Sequence, residues 1–131
     1  MREPALFDDG WALRSGEEAH AAAPETFWIP DFIARRSLRI GDFAKLIFEI
    51  SVNNEEDPVS VERMWVVVSE ISSDRYFGLL DNEPNAIAEN DAFWVGTEIP
   101  FGPEHVINIE PGDDASVALA AQEPLKKWSR N

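Results

Sequence analysis

Residues 63–84, RMWVVVSEISSDRYFGLLDNEP, limit the fold more than any other stretch of the chain. Met64-Trp65-Val66-Val67-Val68 is a run of apolar, mostly β-branched or aromatic side chains, which crowd a helix but fit a pleated surface. Ser72-Ser73-Asp74 is a polar turn into a second strand over residues 75–80. Asp81-Asn82-Glu83-Pro84 then stops that strand abruptly. The first strand, expected over residues 62–71, is apolar on both faces. It is therefore expected to be central, with a helix or barrel closure covering its second side. Gly78, inside the second strand, marks a bulge or a close approach of another segment.

The preceding strand, residues 44–52, alternates. Ala44, Leu46, Phe48, Ile50 and Val52 fall on one face, and Lys45, Glu49 and Ser51 on the other, with Ile47 the exception. One buried and one mostly wet face is the antiparallel pattern. The loop NNEEDP (53–58) turns it into the central strand. Short extended pieces at 93–95 and 97–101 and a final strand over 105–109 follow. Ser15 with Glu18 forms a capping box for a helix over 16–23, ended by Pro24, and Asp31 caps a turn over 32–36. Residues 1–14 show no clear periodicity. After Glu110 a helix over 115–122 is stopped by Pro124, leaving Lys126, Lys127 and Arg130 around Trp128. These signals predict an α+β fold: a small, strongly bent antiparallel sheet, SH3-like and partly open as a barrel, with one or two short peripheral helices. One domain is expected over residues 1–110, with a loosely attached tail over 111–131.

The chain has 131 residues, 44% of them hydrophobic, with five Trp and eight Phe, enough for a packed core. Twenty-five acids against eleven bases leave a formal charge of −14. Such a surface repels nucleic acid and anionic membranes and attracts cationic partners, although solubility alone also favours acidity. With no cysteine, disulfides, thiolate metal sites and a Cys nucleophile are excluded. MREPALFDDGW lacks the apolar core of a signal peptide, and no uncharged run reaches the roughly 20 residues of a membrane helix. A cytoplasmic protein is expected.

No residue pattern announces catalysis. His20 and His105 belong to no nucleophile motif. Asp81, Glu83, Glu89 and Asp91 crowd one loop, which reads as a solvated turn with Asp81-Asn82 satisfying backbone donors. DNEPNAIAEND lacks EF-hand spacing, no histidine pair suits zinc, and no glycine-rich phosphate loop occurs, so no metal or cofactor is expected. Arg35, Arg36 and Arg39 form the one basic cluster inside the domain, either paired with surplus acids or serving as a local anion site. Phe27, Trp28, Phe32, Trp65, Tyr76, Phe77, Phe93, Trp94 and Phe101 exceed what the core requires, and one or two left exposed on a concave face would form a partner-binding patch.

Two stretches together, ETFWIPDFIARRSLRIGDFAKLIFEI (25–50) and ERMWVVVSEISSDRYFGLLDNEP (62–84), resemble the bacterial domain-of-unknown-function family 2314. The marks are Thr26-Phe27, Ile29-Pro30, Leu38, Gly41-Asp42 and Lys45-Leu46-Ile47-Phe48. Glu62-Arg63-Met64-Trp65-Val66 and Gly78 through Pro84 complete them. The resemblance covers about residues 20–110. It implies a small bacterial α+β domain and supplies no activity, cofactor or catalytic residue.

Two functional readings follow, drawing on Arg63, Trp65, Asp81, Glu83 and His105 as binding candidates. The first is a non-enzymatic binding or accessory protein, in its sharpest form an immunity-type inhibitor capping a basic partner, with acids on loops 53–57 and 81–91 steering association. The second is a small-molecule-binding or enzymatic domain with a pocket near Trp65, Arg63, Asp81 and His105. A purely structural or self-associating module is a third.

Overall fold

The alternating segment becomes a strand paired along both of its edges in a curled antiparallel sheet. The computed structural model describes residues 2–52, 54–84 and 93–130. Strands β1 (Trp11–Arg14), β2 (Phe43–Ser51), β3 (Val59–Ser72), β4 (Arg75–Leu80) and β5 (Glu98–Phe101) lie side by side in chain order, every neighbour antiparallel. A short β6 (Asn108–Glu110) pairs with residues 43–45 of β2, on the edge that β1 takes farther along. The sheet curls into a half-barrel accompanied by short helices: α1 (Leu6–Asp9), α2 (Gly16–Ala22), α3 (Phe32–Arg35) and α4 (Asp114–Ala120).

Alternation decides what each face buries. Ala44, Leu46, Phe48 and Ile50 of β2 and Met64, Val66 and Val68 of β3 point into the half-barrel, all at most 3% exposed. Trp11, Phe48 and Phe93 pack there with ring centroids 5.1–6.2 Å apart. The convex face carries a second, smaller cluster: Val67, Leu79 and Ala120, with Phe43 and Leu119 against them. The expected cover over β3 is thus α4, capped where Asp113 accepts from the Ser116 N–H at 2.8 Å. Ile47, the exception in the alternation, is buried on the convex face in a cleft it shares with Ala19 and Phe27.

Local signals act where expected. Ser15 Oγ accepts the Glu18 N–H at 3.1 Å, and Asp31 Oδ1 accepts the Ala34 N–H at 2.8 Å. Gly78 sits opposite Val68, where the β3–β4 register shifts between Val68 and Glu70, so bulge and close approach coincide.

Three expectations need correction. Residues 11–14, without legible periodicity, form β1; only Trp11 and Leu13 mark its inner face, too short a run to read as alternation. The final strand starts later than expected: Pro103–His105 form a 3-10 turn because Gly102 donates its N–H to His105 Nδ1 at 3.0 Å, leaving only Asn108–Glu110 as β6. The stretch after Glu110 is not loosely attached. Trp128 is 8% exposed and meets Trp11 edge-on, Lys126 bridges Thr97, and Arg130 binds Glu98. One large aromatic and one buried carboxylate fasten the segment across the gap between β5 and β1. Residue 53 and residues 85–92, the latter including Glu89 and Asp91 of the acidic loop, lie outside the described residues.

Candidate functional site

Chemistry on this fold gathers on the convex face of β2 and β3, where alternation turns the polar residues outward. Three cross-strand pairs stand there in succession: Lys45 opposite Trp65, Ile47 opposite Arg63, and Glu49 opposite Val61. Directly opposed side chains on one face are near neighbours. Over one end, α2 and the segment after it form a wall. The His20 ring, through Nδ1, shares a 2.6 Å hydrogen bond with the Phe27 carbonyl and so fixes Phe27. The Arg63 guanidinium lies 4.9 Å from the Phe27 ring centroid, a cation–π contact.

Three depressions run together on this face. A cleft of about 620 Å³ lies between Phe27, Ala19, Glu18 and the strands. A second of about 620 Å³ is lined by Lys45, Arg63, Trp65, Asn82 and Glu83, reaches round the edge of β3 to Glu62 and Met64, and shares Val61 and Arg63 with the first. A third of about 350 Å³ lies between Trp65, Asp81, Phe43 and Pro111, and shares Trp65 and Asn82 with the second. Together they make one open trough with Phe27 at one end and Trp65 toward the other.

The trough is rich in charge. Among the described residues six carboxylates border it (Glu18, Glu49, Glu62, Asp81, Glu83 and Glu110) against three cations (Arg14, Lys45 and Arg63). Arg14 is paired with Glu49 at 3.1 Å. Lys45 forms no ion pair among the described residues and stands 5.6 Å from the Trp65 ring centroid. Burial pushes the Asp81 carboxyl above the usual carboxylate value, because desolvation disfavours its charged form.

Asn82 shapes the site through the backbone. Its Oδ1 accepts the Trp65 N–H at 2.5 Å, and the Asp81 N–H donates to the Trp65 carbonyl at 3.0 Å. The turn expected to satisfy backbone donors does so, and what it holds is Trp65.

The structure brings Arg63, Trp65, Asp81 and Glu83 to this trough and sets His105 apart. His105 lies in the 3-10 turn, 9% exposed, with Glu104 at 4.0 Å, near the buried Arg35 that donates to the Pro103 carbonyl at 2.7 Å and to Glu17 at 2.7 Å. A four-membered pocket of Trp65, Arg63, Asp81 and His105 is therefore not formed. Its fourth member is occupied in holding the turn. Arg35 is likewise paired, while Arg36 stands 5.7 Å from the Phe32 ring centroid.

Phe27, Lys45 and Asn82 belong to the trough and were not among the candidates. Lys45 had a legible signal, since it sits on the wet face of an alternating strand. Phe27 carried only the general signal of a surplus aromatic, expected on a concave face; it stands over the convex face instead, because its place depends on how α2 folds back. Among the described residues no group of three acids or histidines could hold a metal ion, and no helix is long and apolar enough to cross a membrane. Comparison with protein-family models, curated proteins and solved structures gives no match to this chain.

Proposed function

We propose that this chain is a non-catalytic binding domain, a cytoplasmic bacterial accessory protein that docks on a basic protein partner. The observation that carries the proposal is the convex trough, whose aromatic walls, Phe27 and Trp65, stand inside a border that holds, among the described residues, six carboxylates against three cations. Half-buried aromatics supply area that a partner can desolvate, and the surrounding acids attract a cationic surface before contact. The hairpin tip adds exposed Glu55, Glu56 and Asp57 to the same field. An inhibitor of the immunity type, capping a basic enzyme, is the sharpest form of this reading. A phosphate backbone would meet repulsion here, which disfavours nucleic acid. The resemblance to domain-of-unknown-function family 2314 accompanies the proposal and assigns no chemistry.

The test is affinity capture with the full chain at low and high salt, repeated with Trp65→Ser. A stoichiometric basic protein, held at low salt, released at high salt and weakened by the substitution, is the expected result. A partner retained equally by the variant, or no salt-sensitive partner at all, would sink the reading.

A further inference from the structure

Strand β3 outruns its neighbour. β4 pairs with it only from Val66 to Ser72, whereas β2 pairs with it from Val59 to Val67. Antiparallel strands point alternate residues' backbone groups to alternate sides. The Val68 N–H and carbonyl bond Asp42 and Gly41 on the β2 side, and the Trp65 carbonyl takes the Asp81 N–H on the β4 side. Odd-numbered residues of β3 therefore face β4. Among the described residues that side has no strand beyond Trp65, and nothing is hydrogen-bonded to the outward N–H and carbonyl groups of Val61 and Arg63. Asn82 closes the pairing at Trp65 with its side chain. Val61 is 45% exposed, and Arg63 is exposed as well.

We infer that the partner enters as an extended, lysine- or arginine-bearing segment that adds a strand to β3 along Val61 and Arg63. The inference rests on the protein-binding reading above and names how that site is filled. A free strand edge offers ready hydrogen bonds to an incoming chain. Charge selects the occupant, because exposed acids stand at both ends of this edge: Glu55, Glu56 and Asp57 at the hairpin tip, and Glu83 beside Trp65. A second copy of the chain is disfavoured, since two bodies of charge −14 repel. An added strand would turn alternate side chains toward Trp65 on the convex face, so the segment alternates basic with apolar residues.

The test titrates a seven-residue peptide of alternating lysine and valine into the isotope-labelled full chain, with amide hydrogen exchange as the readout. Exchange at the Val61 and Arg63 amides is expected to slow by about tenfold or more, one hydrogen bond's worth of protection. A glutamate–valine peptide is expected to bind at least about tenfold more weakly, charge being the selector. Val61→Pro removes an N–H that the fold does not use, blocks the edge and keeps every charge; it is expected to abolish binding, while Val61→Thr retains it. The lysine–valine peptide with methylated valine amides repeats the block from the other side, with no change to the protein. Binding without protection of these amides, or undiminished binding of the methylated peptide, overturns strand addition and leaves the protein-binding reading standing. No binding of the lysine–valine peptide overturns it too. The Trp65→Ser capture experiment then decides the broader reading independently.

Discussion

Arg130 reaches back to Glu98 and spans both of its carboxylate oxygens, one guanidinium nitrogen on Oε1 and the other 3.1 Å from Oε2. The same guanidinium lies 3.8 Å over the Phe77 ring, and the Trp128 N–H donates to Glu98 at 2.9 Å. The Glu98 side chain is only 5% exposed. A charge so placed is tolerable while its donors stay, and costly once they leave. Arg130→Ala is expected to destabilise the fold by about 2–3 kcal/mol, below the range for fully buried pairs because Arg130 itself is partly solvated. A urea midpoint that falls with an unchanged slope would show it. Adding Glu98→Leu should recover part of the loss, since it removes the stranded charge. If the two substitutions cost independently, the pair is not coupled.

The buried histidine makes stability depend on pH. Burial holds His105 below the ordinary histidine value of 6.5, outweighing the upward pull of Glu104, Glu3 and Glu17, while Arg75 acts in the same direction as burial. Its Nδ1 accepts the Gly102 N–H, a bond that a protonated nitrogen could not accept. The unfolded chain takes up this proton near 6.5 and the folded chain only at lower pH, so the unfolded state binds more protons in between. His105 therefore adds stability that is full above about pH 6.5 and shrinks as the pH falls toward its folded value. Unfolding measured from about pH 8 down to about pH 5 should show His105→Gln losing less stability than the parent. Parallel curves would contradict this account.

What the chain disclosed before folding followed from the range of the signal. Ser15 and Asp31 act within three residues, and both caps could be read directly. The alternation from Ala44 to Ile50 spans enough residues to assign faces. Val67, apolar where a lone hairpin would be wet, announced that something covers β3, yet nothing local named α4 as the cover. Trp128 looked like part of a basic tail because its partner, Trp11, lies at the other end of the chain. The site divides in the same way. Arg63, Trp65, Asp81 and Glu83 are close in sequence or cross-strand and fall together, whereas His105 is drawn away by Gly102 and Pro103.

Tyr76 ties the helical segment to the sheet. Its hydroxyl donates to the Arg35 carbonyl at 3.0 Å and accepts the Leu38 N–H at 3.2 Å, both inside the protein. Burial pushes this phenol up from its usual value, in keeping with a neutral donor. Tyr76→Phe keeps the ring stacked on Phe101, centroids now 5.2 Å apart, but leaves both backbone groups without a partner. The expected cost is about 1–3 kcal/mol, together with faster amide exchange at Leu38. Unchanged exchange at Leu38 would mean that this bond does not hold the turn.

Gly78 offers the sharpest test of how closely the sheet is packed. It lies in β4 opposite Val68, and a Cβ built there would stand 2.9 Å from Val66 Cγ2 and 3.0 Å from Val66 Cβ. Val66 is fully buried in a central strand and has no room to turn aside. The cause is steric rather than conformational, because Gly78 is not among the glycines with positive φ. Gly78→Ala is therefore expected to destabilise by about 1–3 kcal/mol, the usual range for an overpacked core. Shortening the neighbour should relieve it, so Gly78→Ala combined with Val66→Ala should cost less than the sum of the two single changes. Additive costs from three matched denaturation curves would show that the methyl group is accommodated elsewhere.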